Sequence, residues 1–390
     1  SETCSSTSLT LPTSSVTGIC YNPTMADIST QLDPRDYFVR EHGGVPHQDR
    51  LAHFGNPTDD LNAINEAALI PLLDASVYVL TGEDRLEFLH GQVSNQVKGL
   101  KDNESNRNLN LNVKGQVQAL ARVYRLADQL VLTVDDGDGE TMRQHLQKHI
   151  IFDQVVIDAQ NSLVMSLQGS RVAEVLEQLD VDIPDDQLTN LQPAKAHVIY
   201  PLDYAGQTIL VTPHARSIAG GVDVIVPLAT VSEVVSDLCK QGVLLAGQDA
   251  LELARVTAGI PSAKHESRGS TLPQVIGLTH AVSYNKGCYL GQEIMARIEA
   301  RANVRSQLVG LRLAGAPSNP VADGTSVVLA ETGKSVGSAS SIVHHPGLGW
   351  LGLVSLRKNV PIGSPVQISV AGQQVEAVVT ELPFRDANDE

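Results

Sequence analysis

The chain has 390 residues, enough for two or three domains and a sizeable core. It is 42% hydrophobic and 18% charged with 31 Gly and 19 Pro, which excludes collagen, long coiled coil and wholesale disorder. Lys and Arg number 28 against 44 Asp and Glu, and the net charge of −16 opposes sequence-independent binding to a phosphate backbone.

No stretch approaches the ~20 apolar residues of a membrane span. The first twenty residues hold 11 Ser or Thr and no apolar run, unlike a secretory signal. Cys4, Cys20, Cys239 and Cys288 form no C-x-x-C pair, as expected of a reducing compartment. A soluble, cytoplasmic protein without membrane contact is expected.

Residues 1–66 read as a loosely ordered N-terminal extension, punctuated by Pro and Gly with little periodicity. Order is expected from about residue 69. Residues 75–80 read as a strand, and Thr81-Gly82-Glu83-Asp84 resembles a capping box before Leu86, Leu89, Val93 and Val97 at helical spacing. Two strands joined by the hairpin signal Lys114-Gly115-Gln116 follow, then a strand at 130–134 and a helix at 140–150. The order repeats, with strands near 155–158 and 163–167, a helix at 171–179, strands at 209–212 and 222–226, and a helix at 230–240. Paired strands with single helices imply α+β layers with antiparallel sheets over 67–305. From 306 to 390 short β-type runs alternate with Gly/Pro turns, the pattern of a small β barrel or sandwich.

Three motifs carry no chemistry. The G-x-G-x-x-G of residues 347–352 continues into a strand where a dinucleotide site needs a helix. Asp135–Glu140 looks like a calcium loop, but the twelfth position counted from Asp136 is Gln147, so a solvated turn is expected. His344-His345 has no third ligand at useful spacing, and no metal site is expected.

Residues 284–293, Tyr284-Asn285-Lys286-Gly287-Cys288-Tyr289-Leu290-Gly291-Gln292-Glu293, are the informative stretch. Two glycines bracket a cysteine, and Lys286 stands two residues before it, where a cation favours the thiolate. Local chemistry leaves two readings open: a small buried hydrophobe or a reactive thiol. Downstream, Ile294, Ala296, Ile298, Ala300, Ala302 and Val304 alternate with polar positions, which predicts a strand with one polar face. Five basic residues against two acidic ones between Tyr284 and Arg312 give this stretch a charge of +3, suited to an anionic ligand or to a solvated face.

K-G-C-Y-x-G-Q-E resembles the signature of the YgfZ family of folate-binding proteins, relatives of the glycine-cleavage aminomethyltransferases. Residues 89–97, Asn112-Val113-Lys114-Gly115 with Arg122, residues 255–261 and Leu272-Pro273-Gln274 resemble further family stretches, and the resemblance covers about residues 70–380. It implies interleaved antiparallel α+β units around a central channel, with a C-terminal β barrel. It also implies binding of tetrahydrofolate or a folate derivative. The implied role is support of iron–sulfur enzymes, with clients such as tRNA methylthiotransferases and no direct nucleic-acid contact.

The resemblance makes Cys288 and Lys286 the chemical pair. Candidates for holding folate are Asn112, Lys114, Arg122, Tyr200, Gln292, Glu293, Arg297 and Arg301. The transferases carry acids in the hairpin that fall here on Ala119 and Leu120, so their standard reaction is not expected. A folate-dependent aminomethyltransferase or demethylase is the second expectation.

Overall fold

The computed structural model describes residues 33–191, 196–204, 206–301 and 304–385. Among the described residues, two six-stranded sheets, a closed six-stranded barrel and a small two-stranded sheet of Val45–His47 and Arg50–His53 make up the architecture. The first sheet runs, in spatial order, His197–Val198, Glu104–Leu111, Val117–Arg125, Leu130–Asp136, Ser76–Thr81 and Val156–Ala159. The second runs Tyr200–Tyr204, Gln207–Pro213, Gly221–Pro227, Ser162–Gln168, Ala68–Leu72 and Leu244–Leu245, antiparallel except at its last, parallel pair.

The chain crosses between these sheets repeatedly. Residues 68–72 lie in the second, 76–159 in the first, 162–168 in the second again, and His197–Val198 returns to edge the first. This is the interleaving the resemblance implied. Ile70, Val77, Tyr124, Val131, Val164 and Ile225 pack in one cluster between the sheets. The outer faces are covered by helices: Gly139–His149 on the first sheet, Val172–Glu177 and Val231–Lys240 on the second. Strands 306–380 close the barrel in the order Ser306–Leu313, Gly349–Arg357, Ser335–His345, Thr325–Leu329, Pro365–Val370, Gln373–Thr380.

Two sequence expectations need correction. Within the stretch read as a loose extension, residues 33–66 are built into the fold, while residues 1–32 lie outside those described. Helices Pro34–His42 and Pro57–Glu66 are capped by Asp33 and Asn56, each followed by Pro at the first helical position. Those prolines are helix starts rather than loop punctuation. Phe38, Leu51, Leu61 and Ile64 are buried.

The second correction concerns residues 292–301, which form a helix and not a strand. Apolar residues at every second position satisfied period two, but Ile294, Met295 and Ile298 also form one helical face, and that face packs on Leu109, Leu111 and Val117. Glu293 and Arg297 pair at i,i+4 on the exposed side.

Candidate functional site

The Cys288 loop is locked between the two other motifs of the resemblance. Asn112 turns the hairpin: its Oδ1 accepts the backbone N–H of Lys114 at 2.9 Å and of Gln116 at 3.1 Å. Gly115 and Gly291 both have positive φ, +71° and +85°. A Cβ on Gly291 would stand 2.8 Å from the Asn112 carbonyl oxygen and 3.1 Å from Gly115 Cα, so the two backbones touch.

Lys286 is buried, and its ammonium donates to the carbonyl oxygens of His90 at 2.5 Å, Val93 at 2.6 Å and Asn95 at 2.8 Å. Burial pulls its pKa down to about 7. The Tyr289 ring lies 4.9 Å away. All three ammonium donors are thus directed at the segment after helix Arg85–Gln92, so Lys286 acts as a clamp rather than as the partner of the thiol that its spacing suggested. Cys288 itself is exposed, which removes the reading of a buried packing residue.

A cavity in two lobes lies where the sheets, the 260–265 loop and the barrel meet. The first lobe, about 470 Å³, takes Arg107, Leu120, Asp135 and Asp136 from the first sheet and His214 and Arg216 from the turn after Gln207–Pro213. Helix Gln248–Thr257 adds Glu252 and Arg255, and Lys264 closes one side. The second lobe, about 460 Å³, shares Arg107, Ile260 and Pro261 with the first and reaches Leu308 of the barrel. Arg107 therefore walls both lobes.

The first lobe is organised by Arg216. Its guanidinium donates Nε to Asp223 Oδ1 at 3.0 Å and Nη2 to Asp223 Oδ2 at 2.7 Å, and Nη2 also reaches Asp135. His214 donates Nδ1 to Asp223 at 2.5 Å, and its Nε2 meets Arg107. Burial alone would raise the Asp223 carboxyl, but Arg216 and His214 hold it well below the usual carboxylate range. Burial, with Arg216 beside it, keeps His214 well below its ordinary value and neutral.

The side-chain donor atoms of Asp135, His214 and Asp223 lie within 4.8 Å of one another, the spacing of a metal site. Arg216 already stands between the carboxylates as their cation, so this set does not fit a metal ion.

Asp136 accepts from Ser262 Oγ at 2.8 Å, from Lys264 N at 3.1 Å and from Ala263 N, and burial raises its pKa against these bonds. The expected solvated acidic turn is instead part of the cavity wall. Lys264 pairs with Asp74 at 2.6 Å. Arg255 joins Glu252 at 2.5 Å and Glu266 at 3.1 Å, and Glu266 in turn accepts from Ser340 and Ser341, tying the cavity to the barrel.

The residues singled out for folate are placed unevenly. Arg122 is buried beside Arg107, its cross-strand partner, and donates to Pro213 O at 3.1 Å. Lys114 is exposed at the hairpin, and Glu293 and Arg297 pair with each other at 2.5 Å on the surface. Gln292 donates to Lys286 O at 3.4 Å. Tyr200 packs half-buried against the core of the second sheet. None of these, nor Asn112, lines the two lobes; the side chain of Arg301 lies outside the described ones.

The sequence reading missed Arg107, Asp135, Asp136, His214, Arg216 and Asp223. A signal existed in Asp223, a lone carboxylate inside the apolar strand Gly221–Pro227.

The interleaved sheets and barrel define an aminomethyltransferase-type fold. The glycine cleavage system aminomethyltransferase T of Bartonella henselae superposes with a TM-score of 0.76 at 18% identity, over 90% of this chain and 97% of that one. The GCVT N-terminal domain matches residues 54–286, and the chain belongs to that family. Within it the chain is a YgfZ-family member related to T-protein. It is 23% identical over 320 residues to the tRNA-modifying protein YgfZ of Yersinia enterocolitica, spanning 81% of this chain and 91% of that protein. It is 26% identical over 349 residues to an Arabidopsis thaliana protein named as a supposed chloroplastic transferase, spanning 88% of this chain and 77% of that one. No helix among the described residues is long and apolar enough to cross a membrane.

Proposed function

We propose that the chain binds tetrahydrofolate in the first lobe and supports the iron–sulfur enzymes that modify tRNA, with Cys288 as the exposed working thiol. The observation that carries this reading is the lobe itself: a polar cavity walled by paired carboxylates and guanidiniums, which suits the donor- and acceptor-rich edge of a pterin. Asp135 and Asp136 can accept from ring N–H groups, and the Leu120 and Leu251 side chains give a flat heterocycle apolar contact. The names of the YgfZ relatives support the tRNA-modification part. An exposed Cys288 is free to form a mixed disulfide or attack a partner's sulfur, whereas one thiolate cannot hold a cluster, which normally needs about four. Cytoplasmic residence is proposed with it. The test is complementation: Cys288→Ser is expected to stay folded and bind tetrahydrofolate yet lose support of tRNA thiolation, and full support by the variant contradicts the role of the thiol.

One observation favours the second reading, an aminomethyltransferase or demethylase. Leu120, which replaces a transferase acid, pairs across the ladder with Asp136, so a carboxylate does stand beside the vacated position. Asp136 is fully engaged by the 262–264 loop, which opposes a catalytic role. Single-turnover assays with methylated amines and tetrahydrofolate decide it; product formation lost in Asp136→Asn supports the enzyme reading.

A further inference from the structure

Arg107 and Arg122 are neighbours across the first sheet, and both are buried. Like charges directly opposite in a ladder are destabilising unless something compensates them. Among the described residues compensation is incomplete. The acids whose charge acts on Arg107, Asp135 and Asp223, are both engaged by Arg216. Three guanidiniums therefore share two carboxylates, with His214 neutral between them. Arg107 Nε and Arg122 Nε and Nη2 are buried without a hydrogen-bond partner among the described residues. Burial and Arg122 pull the Arg107 pKa down to about 9, and burial with the same two arginines holds His197 and His280 down to about 3. The cluster carries one positive charge too many for a buried site.

The second lobe receives that charge. Among the described residues Arg107 is its single ionised lining residue, and the walls are otherwise mainly apolar, with Ile276, Leu308 and Leu382 among them. We propose that this lobe binds an organic carboxylate, its apolar body against Ile276, Leu308 and Leu382 and its anionic group paired with Arg107. A guanidinium in apolar surroundings favours a monoanion, since a second charge would be left without a partner. The carboxylate can belong to a folate whose ring fills the first lobe, because Arg107 walls both lobes, or to a separate small acid. The site does not depend on the folate reading.

Benzoate is the probe, with benzamide as its neutral counterpart, titrated into the full chain by calorimetry. Saturable benzoate binding is expected, with benzamide at least about tenfold weaker, the loss of one charge-assisted pair. Arg107→Gln is expected to weaken benzoate by a similar factor. Leu308→Trp, which fills the lobe and leaves Arg107 in place, is expected to abolish binding and covers the case in which Arg107→Gln does not fold. Equal binding of benzamide, absence of saturation, or unchanged benzoate affinity in a folded Leu308→Trp protein overturns the proposal. Saturating tetrahydrofolate separates the sources: displacement of benzoate assigns the site to the folate's own carboxylate, and simultaneous binding assigns it to a second acid. A parent chain that takes benzoate but no tetrahydrofolate leaves this site standing and removes the folate reading.

Discussion

The ammonium of Lys286 donates to the carbonyl oxygen of Asn95 at 2.8 Å, across 191 residues of sequence. With the carbonyls of His90 and Val93 it forms a three-pronged clamp that fixes the Cys288 loop to the segment after helix Arg85–Gln92. Lys286→Met leaves three carbonyls short of a donor and is expected to cost about 2–4 kcal/mol, read from the denaturant midpoint. Cys288→Ser, at an exposed position, is expected to leave that midpoint within about 0.5 kcal/mol of the parent. Equal stability loss in the two variants contradicts the division between clamp and thiol.

The Gly115–Gly291 contact makes a second prediction. Gly291 has φ +85° and backbone within 2.8 Å of where a Cβ would be, so Gly291→Ala adds strain to a clash. A loss of about 2 kcal/mol or more is expected. Gly287→Ala, one position before the thiol, has open space at the Cβ and is expected to be nearly neutral. Chemical denaturation of the pair measures the difference.

Acid sensitivity should come from buried histidines. His90 is lowered to about 4 and His197 and His280 to about 3, chiefly by burial, and His214 is held well below 6.5. With folded pKa values below the unfolded ones, the unfolded chain binds more protons as pH falls from 6.5. The histidine contribution is therefore full above about 6.5 and declines towards pH 4, while Lys286, at about 7 in the fold, adds its own gain only above pH 7. His265, raised by Asp323, has the opposite sign and offsets only part of this. Tm is expected to drop between pH 7 and 5, with a shallower slope in His197→Asn. A flat or rising profile toward acid would contradict the assignment.

How much the sequence reveals depends on the range of the interaction. The antiparallel α+β layers and the C-terminal β unit follow from alternation and turn residues, which are local, whereas the interleaving of the sheets is implied only by the resemblance. The cavity charges follow from neither. Arg107, Asp135 and Arg216 lie on three separate stretches, and each alone reads as a solvated charge until the strands pair. Residues 292–301 failed for a different reason: Ala is compatible with either period, and the tertiary contact of Met295 with the 112–116 hairpin decides for helix.

Arg216 is expected to be the most costly single truncation in the cavity. Arg216→Met leaves Asp135 and Asp223 buried without their cation, a loss of about 3–5 kcal/mol. The double variant Arg216→Met with Asp223→Asn is expected to recover part of it, and a calorimetric Tm series checks the recovery.

Tetrahydrofolate binding by the first lobe is tested most directly by titrating tetrahydrofolate into the parent and into Leu120→Trp, whose indole would fill that lobe between Asp136 and Arg107. Saturable heat is expected in the parent and none in Leu120→Trp, with both proteins folded by near-ultraviolet circular dichroism. No heat in the parent at millimolar ligand, or the same affinity in both, would contradict a folate site between the sheets.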